Sequence, residues 1–347
     1  MSFRFWRRVR LFPGVTLNFS KSNVSLSVGP PGAKYTFSPR GNRTTVGIPG
    51  SGLFYTVQEP GADRTRARRG SGSEARRSVE SRLELGFLQR LLASADEKAF
   101  VDGLLALHRG DEQGALARLE EAPDDADASW LAGFLRMKHG PLASAEAHLR
   151  RVLEEPRGLG RFYRKYDLAT RLDLPVTPEV TAHVEPGVRG LYLGLCEVCQ
   201  AQDRNAEARS AVSALLEIEP EDVIARLSLA ELLLDEPADR GAAQQVVSMT
   251  ASVKNDSFPH AALLLYKARA LRLLDMDTAA IDALTLALRR RKGRPPALLH
   301  QLRYERALAY ERVGKRRRVR EDLERLYAEA PDFEDVATRL AQRRRTM

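Results

Sequence analysis

The strongest constraint on the fold of this chain is a helix–turn–helix pattern that recurs along its second half. Small residues, which let two helices approach closely, stand at Ala208, Ala242 and Ala280, with Val319 in the next equivalent place. These positions are 34, 38 and 39 residues apart. One such helix pair cannot bury its apolar face alone, so neighbouring pairs must stack. The sequence therefore predicts an all-α helical solenoid over residues 80–347.

The first 57 residues follow a different period. Apolar and polar residues alternate in six short runs that glycine, proline and asparagine separate. This alternation is typical of strands that bury one face, and Lys21-Ser22-Asn23 is predicted as a three-residue hairpin loop. Because about 60 residues bury only a marginal core, the strands must close into a barrel, dock on the helices or self-associate. The predicted fold class is α+β with two domains, a small all-β meander or barrel over residues 1–58 followed by the solenoid.

Two segments interrupt these patterns. Residues 59–79 are rich in glycine, serine and arginine, a composition that predicts a disordered linker. Residues 157–188 lie among the helical repeats but break their period. We expect an irregular connecting helix pair in this second segment.

Positive charge is concentrated at the front of the chain. The net charge is +9, and residues 1–58 hold eight basic residues and no acidic one. Such asymmetry favours attraction to nucleic acid or another anionic surface. The alternative is a general preference for arginine that serves solubility, since only nine of the 55 basic residues are lysine. The candidate anion-binding residues are Arg4, Arg7, Arg8, Arg10, Lys21, Arg40 and Arg43.

Composition limits where the protein is expected to work. No apolar run approaches the roughly 20 residues that a membrane-spanning helix needs, and the first residues lack the apolar core of a secretory signal. The two cysteines, Cys196 and Cys199, cannot form a disulfide framework. We therefore expect a cytoplasmic protein.

No motif indicates catalysis, a metal or a cofactor. Cys196 and Cys199 have the spacing of a metal-binding pair, but no second pair of ligands accompanies them, so we interpret them as core residues. The six histidines are scattered. The glycine-rich run Gly47–Gly52 lacks the Lys-Ser/Thr ending of a phosphate loop and precedes a strand, which predicts a tight turn. The chain is thus not predicted to be an enzyme.

Two further basic runs lie late in the chain, at Arg289–Arg294 and Lys315–Arg320. Both fall near turns between helices. Cations are common at helix C-termini because they complement the helix dipole, so we interpret the runs as solvated helix ends. The alternative is a patch that binds phosphates without sequence readout.

The helix pairs resemble the tetratricopeptide repeat. The similarity covers residues 95–335 and is best at 189–220 and 300–331, where leucine, alanine, glycine, tyrosine and proline positions match. The resemblance implies a face on the first helix of each pair that binds a protein or peptide. Carried over by register, the implied groove positions are Trp130, Phe134, Lys138, Glu197, Gln200, Glu231, Arg269, Arg272, Tyr304, Glu311 and Arg312.

The N-terminal residues resemble a small bacterial domain known as domain of unknown function 4236. Asn23 and Ser51 replace the usual glycine and threonine of that family. The resemblance implies no activity. The matching residues are Phe3-Arg4-Phe5, Pro13-Gly14-Val15, Asn18, Ser20-Lys21-Ser22, Ser25, Ser27, Gly29, Thr45-Val46-Gly47-Ile48-Pro49-Gly50, Gly52-Leu53 and Tyr55.

These features together predict a non-enzymatic scaffold or adaptor. The solenoid would bind a protein or peptide partner, and the β domain would act in targeting or in self-association as a homo-oligomer. The second hypothesis is that the basic β domain and linker bind nucleic acid or an anionic surface, with aromatic residues stacking on bases.

Overall fold

A computed structural model describes most of the helical region and the strands that precede it. Residues 92–166, 168, 171–177, 180–235 and 239–345 are described, together with the backbone of six strands between residues 6 and 60. The predicted linker therefore lies outside the described residues from residue 61 onward, as do the loops between the first six strands. The boundaries of the two predicted domains and of the linker between them stay a prediction.

Six antiparallel strands follow one another in the sheet in chain order. Ser20 pairs directly with Asn23, which is the first residue of its strand. The prediction that Asn23 belongs to a three-residue hairpin loop is therefore wrong. The strands are β1 (Trp6–Phe12), β2 (Val15–Ser20), β3 (Asn23–Val28), β4 (Ala33–Phe37), β5 (Gly41–Gly47) and β6 (Phe54–Pro60).

The same sheet continues into the segment that interrupts the helical repeats. On its other edge β1 pairs antiparallel with β7 (Arg171–Pro175), with Val9 opposite Leu172, and β8 (Thr181–Val184) is the outermost strand. The expected connecting helix pair is wrong: among its described residues the segment holds one five-residue helix and these two strands. The alternation of buried residues in β8 is a strand pattern, too short to stand out among helical repeats.

The chain divides into two compact units. The first comprises residues 1–175 and 182–211, and the second comprises residues 176–181 and 212–347. The seventh helix crosses from one range to the other. The helices that begin in the first unit are α1 (Ala95–Arg109), α2 (Glu112–Leu119), α3 (Ala126–His139), α4 (Leu142–Glu154), α5 (Arg161–Lys165), α6 (Val188–Ala201) and α7 (Asn205–Ile218).

The second unit consists mainly of antiparallel helix pairs. Near its end Val319, Leu323 and Leu326 are buried at helical spacing on one helix. They pack against Ala307 of the helix before it and Val336 of the helix after it. The helices are α8 (Val223–Asp235), α9 (Arg240–Met249), α10 (Phe258–Leu273), α11 (Asp277–Leu288), α12 (Pro296–Arg312), α13 (Arg316–Glu329) and α14 (Val336–Arg345).

The repeated small residues pack where the sequence predicts, with one shift in register. Ala208, Ala280 and Val319 are buried, but in α9 the buried residue is Ala243, and Ala242 is only half-buried. Asp239 caps this helix by accepting the Ala242 N–H, which fixes where it begins. The helix therefore starts one residue later than the repeat spacing predicts.

Glycines mark the closest helix contacts in the first unit. A Cβ on Gly103 would lie 2.8 Å from Leu119 Cγ, and one on Gly133 would lie 2.9 Å from Leu149 Cδ2. These two contacts are equivalent and lie 30 residues apart along the chain. The pairs α1–α2 and α3–α4 are therefore built in the same register.

The start of the helical region offers a test of local structure. The Ser94 side chain accepts the Glu97 N–H at 3.2 Å and so pairs one of the free donors at the N-terminus of α1. Ser94→Ala is expected to lower the free energy of unfolding by about 1 kcal/mol, measured by urea denaturation. Ser94→Asp keeps an acceptor and is the matched control. A loss of equal size in both variants would contradict the capping role.

Candidate functional site

The predicted groove positions fall into two groups, and those of the first unit are the less accessible. Trp130 and Phe134 are buried, with their ring centroids 4.9 Å apart. Lys138 is ion-paired with Glu112. Trp130 and Phe134 are thus packed inside this unit, and Phe134 keeps only 7% of its surface exposed. The two remaining positions, Glu197 and Gln200, are half-buried on α6.

In the second unit the predicted positions lie together on successive first helices. The Tyr266 hydroxyl on α10 donates to Glu231 Oε1 on α8 at 3.0 Å. From the same helix, Arg269 Nε donates to Glu305 Oε1 on α12 at 2.8 Å, and Arg272 binds the other oxygen of that carboxylate. Glu305 is therefore held between two guanidinium groups and is itself buried.

Arg312 connects the end of α12 to the preceding pair. Its Nη2 lies 2.6 Å from Asp275 Oδ1, its Nε lies 3.0 Å from Asp277 Oδ2, and its Nη1 donates to the Arg272 carbonyl at 3.1 Å. Hydrogen bonds from Arg312, and then from Arg240, lower the pKa of the exposed Asp275 carboxyl. The Arg312 side chain keeps 43% of its surface exposed, so it remains accessible to a ligand.

The row ends on α14. The Tyr304 hydroxyl donates to Asp335 Oδ1 at 2.7 Å, and Arg339 Nη1 lies 2.7 Å from Glu311 Oε2. Burial, followed by the hydrogen bond to Asp335, raises the pKa of Tyr304. We call this set the unit-2 row: Glu231, Tyr266, Arg269, Arg272, Asp275, Asp277, Tyr304, Glu305, Glu311, Arg312, Asp335 and Arg339.

In the row, guanidinium groups and carboxylates lie within hydrogen-bond distance of one another. Its guanidinium groups can recognise carboxylates, and its carboxylates can accept from cationic or hydroxyl side chains. Sequence reasoning identified three of the arginines but missed Arg339. It also missed the acidic residues Asp275, Asp277, Glu305 and Asp335. The signal was available, because most partners lie 33 to 37 residues apart, which is about one repeat.

The predicted anion-binding residues are placed only in part. Arg7, Arg8 and Arg10 lie on β1, where Arg8 is opposite Asp173 and Arg10 opposite Arg171 of β7, and Arg43 lies on β5. Arg4, Lys21 and Arg40 are outside the described residues. Anion binding by this set stays a prediction.

The two late basic runs occupy different ends of helices. The run Arg289–Arg294 follows α11, as expected for cations at a helix C-terminus. The run Lys315–Arg320 is also a largely exposed helix end, as interpreted, but it lies at the start of α13, where the helix dipole does not favour cations. Three of its five cations form ion pairs within the helix, Arg317 and Arg318 with Glu321 and Arg320 with Glu324.

Both cysteines are buried in α6, which confirms their interpretation as core residues. Cys199 Sγ lies with carboxylate oxygens of Glu146 and Glu207 within 4.8 Å of one another, and burial raises the pKa of this thiol. Arg204 binds both carboxylates, and Arg150 Nε lies 2.7 Å from Glu146. These guanidinium groups already balance the acidic charge, so we assign the cluster to helix packing.

The helices among the described residues include none whose length and apolar character would let it span a membrane.

Comparison with known proteins identifies the N-terminal segment. Residues 3–56 match the family model described as "Protein of unknown function (DUF4236)". No curated protein matches the chain.

Two solved structures match a large part of the chain at low sequence identity. The N-terminal domain of the EccA1 ATPase from the ESX-1 secretion system of Mycobacterium tuberculosis matches at 20% identity and a TM-score of 0.49, over 74% of this chain and 90% of that chain. YrrB, described as a TPR protein with an unusual peptide-binding site, matches at 15% identity and a TM-score of 0.43, over 65% of this chain and 96% of that one. The prediction of a DUF4236 segment followed by tetratricopeptide-like helical repeats is confirmed.

Proposed function

We propose that this chain is a non-enzymatic interaction protein whose unit-2 row binds an extended segment of a protein partner. The observation that carries the proposal is the row itself, in which charged and aromatic side chains on and beside four successive first helices lie side by side, most of them at least partly exposed. Arginine and tyrosine are the residue types that most often dominate protein interfaces. We further propose that residues 1–58 form one β domain that serves targeting or self-association.

The ion pairs within the row determine which variants can test it. Arg269 and Arg272 both hold the buried Glu305, so reversing their charge would bring three carboxylates together and unfold the site. Neutral substitutions are therefore preferable. Arg269→Gln combined with Arg312→Gln leaves Arg272 in place to hold Glu305.

The experiment is affinity capture from native cell extract with the full-length chain, after nuclease treatment, and mass spectrometry of the bound proteins. The wild-type chain is expected to retain a discrete protein. The Arg269→Gln, Arg312→Gln variant is expected to retain at least tenfold less, because two cations that contact the partner are lost.

A matched control removes the same charge elsewhere. Arg317 and Arg318 are highly exposed cations on α13, outside the row. Arg317→Gln combined with Arg318→Gln should capture the partner as the wild type does. If both double variants lose capture equally while their circular dichroism is unchanged, general charge explains binding and the row does not.

Nucleic-acid or anionic-surface binding through residues 1–58 is the second candidate function, and it is favoured by the eight basic residues there and the lack of acidic ones in the same stretch. It predicts that binding falls steeply with salt concentration. Material that the wild-type chain retains only without nuclease would support this second function.

A further inference from the structure

A second surface, in the first unit, carries an inference beyond the proposed function. Since Gly103 and Gly133 are equivalent, positions 30 residues apart on α1 and α3 have the same orientation in their helix pairs. Glu97 on α1 therefore corresponds to Asp127 on α3, and Phe100 corresponds to Trp130. Each of the two helices thus carries an acidic residue that is followed, three positions later, by an aromatic one.

The chain's own segment Gly160–Tyr166 lies on these four positions. The Asp127 carboxylate accepts the Gly160 N–H and, at 2.7 Å, the Phe162 N–H. Glu97 Oε1 binds Lys165 Nζ at 2.5 Å and also accepts the Tyr166 hydroxyl. The acidic pair therefore binds the two ends of the segment.

The aromatic pair binds its middle. Phe100 lies 5.3 Å from the Phe162 ring and 5.0 Å from the Tyr163 ring, and Trp130 lies 6.0 Å from the Tyr163 ring, centroid to centroid. Phe162 and Tyr163 are buried, whereas Arg161 and Lys165 keep 54% and 55% of their side chains exposed. The segment thus inserts two aromatic rings and leaves its cations at the rim.

We propose that the face formed by Glu97, Phe100, Asp127 and Trp130 is a peptide-docking surface that the chain's own segment Gly160–Tyr166 occupies, and that a partner segment with an aromatic pair followed by two cations displaces it. The segment is short, and it belongs to the one part of the helical region that departs from the repeats. The surface can therefore open without separating the α1–α2 and α3–α4 pairs. Binding there is independent of the unit-2 row.

The test uses a fluorescein-labelled peptide of residues 158–168 (GLGRFYRKYDL) and the full-length chain. Phe162→Ala combined with Tyr163→Ala removes the rings that fill the surface. Fluorescence anisotropy is expected to show at least tenfold tighter binding of the peptide to this variant than to the wild-type chain. A peptide in which Phe162 and Tyr163 are both replaced by alanine is expected to bind neither chain.

Two controls make the result decisive. Glu97→Gln, added to the double variant, should weaken peptide binding, since it removes the charge that holds Lys165. The variant must keep the wild-type circular dichroism. A folded variant that does not bind the peptide, or that binds it no better than the wild type does, would overturn the proposal.

Hydrogen exchange on the wild-type chain decides the matter if the variant does not fold. In a docked segment the amides of Arg161–Tyr166 should exchange at least tenfold faster than those of α1 and α3, because the segment opens by itself. Exchange at the same rate as the two helices would show that the segment is an inseparable part of the core and would overturn the proposal.

Discussion

Asp322→Ala is expected to lower the free energy of unfolding by about 3–5 kcal/mol. Asp322 is buried on α13 and receives two hydrogen bonds from Arg306 on α12, from Nε at 2.8 Å and from Nη2 at 2.7 Å. Burial alone would lower the pKa of the Arg306 guanidinium, but the hydrogen bond to Asp322 raises it. Removing the carboxylate would leave a largely buried cation without its partner.

The same helix supplies the control. Glu324 forms an ion pair with Arg320 in which both side chains are about half exposed, and such surface pairs contribute about 0–1 kcal/mol. Glu324→Ala should therefore change the free energy of unfolding little when both variants are measured by urea denaturation. Similar losses in the two variants would mean that helix propensity, and not the buried pair, determines the result. Replacing Arg306 by methionine together with Asp322→Ala should restore part of the loss, because no buried cation then remains.

The helix pairs were predictable because the repeat in the sequence extends over many residues. Ala208, Ala280 and Val319 recur over more than a hundred residues, and each pair must repeat the same close contact. A single cap was enough to shift the register locally, as Asp239 does at α9. Periodicity thus predicts which elements exist more reliably than where each begins.

The segment between the repeats was not predictable in the same way. The strands β7 and β8 hold five and four residues, too few for a period to be distinguished. The pairing of β7 with β1 joins residues more than 160 positions apart, and no local pattern specifies a contact of that range. Nor does the sequence around Phe162 show that its side chain lies on α1.

The helices that carry the candidate residues were predictable, but the partners of their side chains were not. The tetratricopeptide register predicted Trp130, Arg269 and Arg312 correctly as residues on first helices. It did not predict that the first would be covered by the chain itself, or that the two arginines would be paired with acidic residues of neighbouring repeats. A register gives the direction of a side chain, whereas its partners depend on what the adjacent helix or inserted segment brings to the same place.

Asp127 provides a pH-dependent test of the packing in the first unit. Burial raises the pKa of this carboxyl to about 6, although backbone N–H groups of Gly160 and Phe162 act in the opposite direction, as does that of Tyr163. Its ordinary value is 3.8. Between these two values the folded chain binds a proton that the unfolded chain does not. The contribution of Asp127 to stability therefore increases as the pH falls through 6 and is lost as the pH rises through it.

The wild-type chain is accordingly expected to gain about 2 kcal/mol relative to Asp127→Asn between pH 7.5 and pH 4.5. Comparison with the variant cancels the carboxylates whose pKa is lowered by ion pairs, such as Glu120 with Arg136, because both chains contain them. Urea unfolding followed by the fluorescence of Trp130, in a Trp6→Phe background, reports on the first unit directly. A difference in unfolding free energy that stays constant across this pH range would contradict the raised pKa. If the wild-type chain instead loses stability relative to Asp127→Asn as the pH falls, the backbone donors stabilise the charged carboxylate more than burial disfavours it.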